Sequence, residues 1–202
     1  MTFYDDISNF SNFVISFMDS PRYDFGIFAS GYFHAASKLA EDLLSKGLSF
    51  PDYEAYPIMF LYRHALELYL KNIIYKSALL SAFKNMEDID AKLYNHHDLN
   101  QLSQKATDIL RRLFLNDKGI ELVSKRVLQI SSEFSKIDPD SFSYRYPIDR
   151  NGNYSTKPHQ VVNLEAVHHA MCELLEDLDT IDFGLNVETS QAQELYEMLS
   201  DL

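Results

Sequence analysis

The chain reads as an all-α protein, a body of packed helices interrupted by one irregular loop or small hairpin near residues 142–161. Three observations carry that reading. Apolar residues recur at helical spacing through most of the sequence. Gly and Pro number only six each, which leaves little material for the tight turns of a sheet protein. The run from Tyr56 to Lys76 (YPIMFLYRHALELYLKNIIYK) is apolar around nearly its whole circumference, so other helices must enclose it. An apolar share of 46%, with 14 Phe and 13 Tyr in 202 residues, is enough to build one well-buried core. The expected organisation is one domain over 1–202, with its core at about 25–180 and an acidic helix at about 186–202 as an appendage.

The elements follow in order. Residues 4–19 carry Ile7, Phe10, Phe13, Val14 and Phe17 at helical spacing, closed by Pro21. Residues 25–46 form a second helix, with Phe28, Gly31, Tyr32, Ala35, Leu39 and Leu43 read as one side and Ala29, Gly31, Ala35 and Ala36 permitting close packing. The central helix tolerates Pro57 in its first turn. The pattern weakens between Ser77 and Asn95, which reads as a frayed end and a connection. Leu99, Leu102, Ala106, Ile109, Leu110 and Leu113 then mark a helix that Asp98 or Asn95 can cap. Residues 118–136 repeat the pattern through Ile120, Leu122, Val123, Val127, Ile130 and Phe134, and Pro139 stops it.

The segment 142–161 alternates Tyr144, Tyr146 and Ile148 around Arg145, and Asn151-Gly152 signals a type I′ turn. Asn163 caps a helix with the stripe Leu164, Val167, Met171, Leu174, Leu175 and Leu178, and a short acidic helix covers about 189–199.

The formal charge of −12 is unevenly placed. Residues 158–202 contain no Lys or Arg and 10 acidic groups, which opposes nucleic-acid binding at that end and leaves a local basic face open elsewhere. The acidic end is either solvated helix surface or a cover for a basic groove in this chain or a partner. The single cysteine, Cys172, reads as a small core residue in a reducing compartment. The start MTFYDDISNF has no basic and apolar leader, and no stretch approaches the ~20 apolar residues of a membrane span. The expected location is cytoplasmic, with no membrane partner.

Charge on the central helix is confined to one stripe. Arg63, Glu67 and Lys71 stand at i, i+4 and i+8 and can pair along one line. That line is either the one solvated strip of a buried helix or, with His64 beside it, a cation, an imidazole and a carboxylate able to bind phosphate or support acid–base chemistry. His64 and Glu67 also have a one-turn metal-ligand spacing. The only further pair, His97 with Asp98, is adjacent in sequence and cannot face one way on a helix, so no metal is expected. Of His168 and His169, mid-helix neighbours, one ring faces inward and the other water. Tyr144, Arg145, Tyr146, Asp149 and Arg150 mix aromatic faces with guanidinium groups. They suit either a nucleotide or single strand, or a clamp holding a hairpin to the body through an Arg145–Asp149 pair. A Gly-rich phosphate loop, a dinucleotide fold, a zinc pattern and a Gly-x-Ser-x-Gly turn are all missing from the sequence, and no cofactor is expected.

Tyr62-Arg63-His64-Ala65-Leu66-Glu67-Leu68-Tyr69-Leu70-Lys71, then His97-Asp98-Leu99, then Ser143-Tyr144-Arg145-Tyr146-Pro147-Ile148-Asp149 resemble the corresponding segments of uncharacterised bacterial HEPN-like proteins. The resemblance spans roughly residues 25–180. It implies an up-and-down helical bundle, a homodimer, and a place in toxin–antitoxin or phage-defence systems, where active members cut RNA at the dimer interface. Those members carry an Arg separated from a His by four to six residues, and no Arg of this chain has a His at that distance.

The leading expectation is therefore a dimeric HEPN-like binding or regulatory module for RNA or a nucleotide, with a partner protein encoded nearby. Its ligand-binding residues would be Arg63, His64, Glu67, Lys71, His97, Tyr144, Arg145, Tyr146, Asp149 and Arg150. Two alternatives stand beside it. One is a metal-independent ribonuclease with a displaced site, using His64 or His97 as base and Arg145 to stabilise the phosphorane. The other is a non-catalytic module in which the charged residues tie the hairpin to the bundle.

Overall fold

The computed structural model describes residues 24–46, 52–84, 96–139, 141–149, 151–156 and 161–200. Among them are five α-helices and no strand: α1 (Asp24–Ser45), α2 (Ala55–Phe83, entered through a 3-10 turn at Asp52–Glu54), α3 (Leu99–Leu113), α4 (Lys118–Ser135) and α5 (Leu164–Ser200). The helix expected over 4–19 lies outside the described residues. The caps follow from local chemistry. Asp98 accepts the N–H groups of Asn100 and Gln101, Asp117 those of Gly119 and Ile120, and Asn163 that of Ala166, each satisfying donors that the first turn leaves open.

α2 is the axle of an all-α helical bundle. Tyr62, Leu66, Tyr69, Leu70, Ile73 and Ile74 are buried on different sides of it. α1 runs antiparallel to it, with Tyr32 against His64 and Phe25 against Tyr75. α5 runs parallel to it, since Tyr62 bonds His168, Tyr69 bonds Asp179 and Asn72 bonds Asp182. α3 and α4 form an antiparallel pair tied by Arg111 and Glu121, and Arg126 reaches Asp177 of α5. Successive helices alternate in direction except α2 and α3, which run the same way.

Four local readings are corrected. On α4, Leu122 is 59% exposed and stands off the buried side. On α1 the buried line is Ala29, Ala36, Ala40 and Leu43, while Phe28 (49% exposed) and Leu39 (45%) face away with Gly31 and Ala35. The small side chains of Ala29, Ala36 and Ala40 let α1 approach the bulky, fully buried tyrosines of α2 closely. The stretch from Ser77 onward is not a frayed end: helix continues to Phe83, with Ser77 and Leu80 at 0% exposure. The two expected C-terminal helices are one 37-residue helix. Gly184 weakens it by about 1 kcal/mol, but buried Leu185 and the bonds of Asp179 and Asp182 to α2 hold that part of the chain helical.

The insertion is a minimal hairpin, a single bridge between Ile148 and Tyr154. The main chain pairs Asp149 N–H with the Asn153 carbonyl at 2.8 Å and Ser155 N–H with the Pro147 carbonyl at 3.0 Å. The turn is not the expected type I′, because Gly152 has φ +82° and Asn151 does not share a positive φ. Asp149 accepts the N–H groups of both Asn151 and Asn153, which winds the chain around the carboxylate instead.

Candidate functional site

The charged stripe of α2 is neither solvated nor open. Arg63 is fully buried and its guanidinium is spent in three directions. Nη1 donates to Glu67 Oε2 at 3.0 Å, Nη2 to the His97 carbonyl at 2.7 Å, and Nε to the Asp138 carbonyl at 3.1 Å, with Asp138 Oδ2 at 3.2 Å. Glu67, 1% exposed, also accepts from Lys71 Nζ at 2.8 Å and meets His97 Nδ1 at 2.9 Å. Two cations, Arg63 and Lys71, thus meet two carboxylates, Glu67 and Asp138. Asp138 in turn accepts the Phe142 and Ser143 N–H groups at 2.6 and 2.7 Å. The network joins α2 to the start of α3 and to the loop after α4.

Burial pushes the Glu67 carboxyl up, but the bond and charge of Lys71 together with His97 outweigh it and hold the group below its ordinary value. Arg63 and Lys71 therefore position other groups, and a ligand could reach them only by breaking these bonds. His97 is different. Its side chain is 53% exposed, its Nδ1 edge is turned inward to Glu67, and its other edge faces a groove.

That groove, about 760 Å³, lies between residues 96–101, the end of α4 and the hairpin. Its lining includes His96, His97, Phe142, Ser143, Asn151 and Tyr154. Asp98 and Asp149 also line it, but both carboxylates are engaged, Asp98 in capping α3 and Asp149 in closing the turn. The Asn153 N–H groups are the main reason the Asp149 carboxyl sits below its ordinary range.

Next to the groove runs a ladder of flat groups. His64 stacks on Phe60 (5.5 Å between centroids) and meets the edge of Tyr32; the Arg145 guanidinium lies 5.5 Å from the Phe60 centroid and 5.7 Å from that of Tyr146; Tyr146 stacks on Phe142 at 4.5 Å. Arg145 does not pair with Asp149. Its Nε and Nη2 donate to the Ser141 carbonyl, leaving Nη1 outward. Burial lowers the His64 pKa, with Lys71, Arg63 and Arg145 adding to the effect and Glu67 opposing it. Tyr144 is half-buried, and burial pushes its phenol up to about 12.

The structure thus gathers Arg63, Glu67, Lys71 and His97 into one cluster and places His64, Arg145 and Tyr146 in the adjoining ladder, with Tyr144 beside Asp138. Asp149 stands across the groove, and Arg150 lies outside the described residues. Asp138, Phe60, Phe142 and Tyr154 were not singled out in the sequence. Asp138, before Pro139, carried only a helix-stop signal.

Away from this site, the Tyr62 hydroxyl and His168 Nδ1 share a hydrogen bond at 2.6 Å, and Cys172 Sγ lies 3.6 Å from the same nitrogen. Cys172 is half-buried between α1 and α5 rather than deep in the core. His169 points outward, as expected of one of the pair. Part of the acidic end covers basic groups of its own chain, since Asp177, Asp182 and Glu188 pair with Arg126, Lys76 and Lys84. Among the described residues no three or more His, Cys, Asp or Glu are grouped to hold a metal ion, and no helix is long and apolar enough to cross a membrane.

Compared with known proteins, the chain matches no family model, no curated protein and no solved structure.

Proposed function

We propose that the chain is a dimeric, HEPN-like binding module for RNA or a nucleotide. It would act in the cytoplasm in a bacterial defence or toxin–antitoxin setting, with a partner protein encoded nearby. The observation that supports this reading most is the Arg145 guanidinium set between Phe60 and Tyr146 beside the His97 groove. A guanidinium with a free N–H edge takes a phosphate, and adjoining rings and imidazoles take bases. Arg63 and Lys71 enter the reading as the groups that hold His97 and the loop in place, not as phosphate contacts.

Fluorescence anisotropy with a short labelled single-stranded RNA tests it. Binding should weaken as salt rises and fall about tenfold in Arg145→Ala, with a similar loss in Tyr146→Ala. Sedimentation should give twice the chain mass. No binding at low salt, or binding indifferent to both substitutions, overturns the reading.

One observation favours a second reading, a metal-independent ribonuclease. The 2.9 Å contact of His97 Nδ1 with the Glu67 carboxylate orients the opposite ring nitrogen as a general base. Incubation with mixed RNA should then give cleavage that His97→Ala abolishes while the melting transition persists, and cleavage surviving that substitution excludes it.

A further inference from the structure

The Glu67–His97 contact sets the hydrogen-bonding polarity of the groove. Glu67 is anionic and has oxygens only to accept with, so His97 Nδ1 carries the proton that joins them at 2.9 Å. That contact leaves Nε2 as the ring atom free to meet a ligand in the groove, as an acceptor in the tautomer that carries its proton on Nδ1. The carboxylate cannot turn to accommodate the other tautomer, because Arg63 and Lys71 hold both of its oxygens in a site 1% exposed. A ligand N–H can then donate to His97 Nε2.

The remaining lining sharpens the chemistry. Asp98 and Asp149 are engaged by their own caps and turns, and no Lys or Arg lines the groove among the described residues. What is left is the His96 ring, the hydroxyls of Ser143, Ser155 and Tyr154 and the amides of Asn151 and Gln101, beside the rings of Phe142 and Tyr154. A volume of about 760 Å³ falls within the ~300–1,000 Å³ typical of small-molecule sites. With no cation among these described groups and aromatic rings beside mixed donors and acceptors, a flat ring with an N–H donor beside an acceptor suits the groove.

We infer that this groove takes the edge of a nucleobase, an amine-bearing heteroaromatic ring, with a base N–H donating to His97 Nε2 and the ring lying against Phe142 and Tyr154. This rests on the RNA or nucleotide reading and adds which part of the ligand enters the groove: the base goes in and the phosphate stays outside, toward Arg145.

Calorimetric titration of the full chain at neutral pH separates the alternatives, with adenosine, N6,N6-dimethyladenosine and ribose 5-phosphate as probes alongside the labelled RNA. Adenosine should bind, the dimethyl compound about tenfold more weakly because its amine can no longer donate, and ribose 5-phosphate should not compete with adenosine. His97→Asn and Phe142→Ala should each weaken adenosine binding about tenfold or more, with folding checked by thermal melts. RNA binding without adenosine binding, displacement of adenosine by ribose 5-phosphate, or equal affinity for the two adenosines overturns the inference and leaves the RNA reading standing. Absence of binding to every probe, RNA included, removes both.

Discussion

Arg63 Nη2 donates to the main-chain carbonyl of His97 at 2.7 Å, so a fully buried guanidinium on α2 fixes the backbone one residue before the N-cap of α3. The same guanidinium holds the Asp138 carbonyl and the Glu67 carboxylate. Removing it leaves the buried Asp138 without its cation and Glu67 with Lys71 and His97 only. Arg63→Ala should therefore lower the unfolding free energy by about 3–5 kcal/mol. Arg63→Lys should recover little, because a single ammonium cannot span three acceptors. Urea unfolding at neutral pH measures both, and a loss below about 1 kcal/mol for Arg63→Ala would mean that the network does not hold the loops as described.

Acid should loosen the fold in two stages. His64 has its pKa lowered by burial from 6.5, so the unfolded chain takes up its proton first and stability declines once pH falls below about 6.5. The groups facing it are Tyr32 from α1, Phe60, Arg63, Glu67 and Lys71 of its own helix, and Arg145 from the loop. Glu67 has a folded pKa held below 4.5. Its contribution is whole above that value and is lost as pH drops through the folded pKa. Urea midpoints across this range should show both stages in the wild type. The upper stage should vanish in His64→Gln, and the lower in Glu67→Gln, which starts from a less stable protein.

The periodicity of α1, α3 and α4 was legible because each has an apolar stripe and, for α3, a capping Asp, while the Asp117 cap of α4 emerged only in the structure. Which side of α1 turns inward was not, since that depends on the bulk of Tyr62 and Tyr69 across the interface. The continuity of α5 through Gly184 was hidden for the same reason: contacts with α2 decide it. Within the site, the i, i+4 pairing of Arg63, Glu67 and Lys71 could be read from spacing. Its burial could not, because the covering groups, Asp138 and the His97 carbonyl, come from distant segments, and a main-chain acceptor leaves no mark in a sequence.

Two glycines offer opposite outcomes for one substitution, and the neighbouring atoms set the sign. Gly184 lies inside α5 with nothing within 4 Å of an added Cβ, so Gly184→Ala gains helix propensity unopposed and should stabilise by about 0.5–1 kcal/mol. Gly26 lies in the first turn of α1, where an added Cβ would stand 3.1 Å from Asn72 Nδ2 and 3.6 Å from Asp182 Oδ2. Asn72 is completely buried and bonded to Asp182 at 2.5 Å, and Asp182 also holds Lys76. The amide can retreat only by giving up that bond. Gly26→Ala should therefore destabilise by about 1–3 kcal/mol, and calorimetric melting should move the two variants in opposite directions. If both rise together, α1 is free to shift away from α2, and the alanine contacts between them do not fix its position.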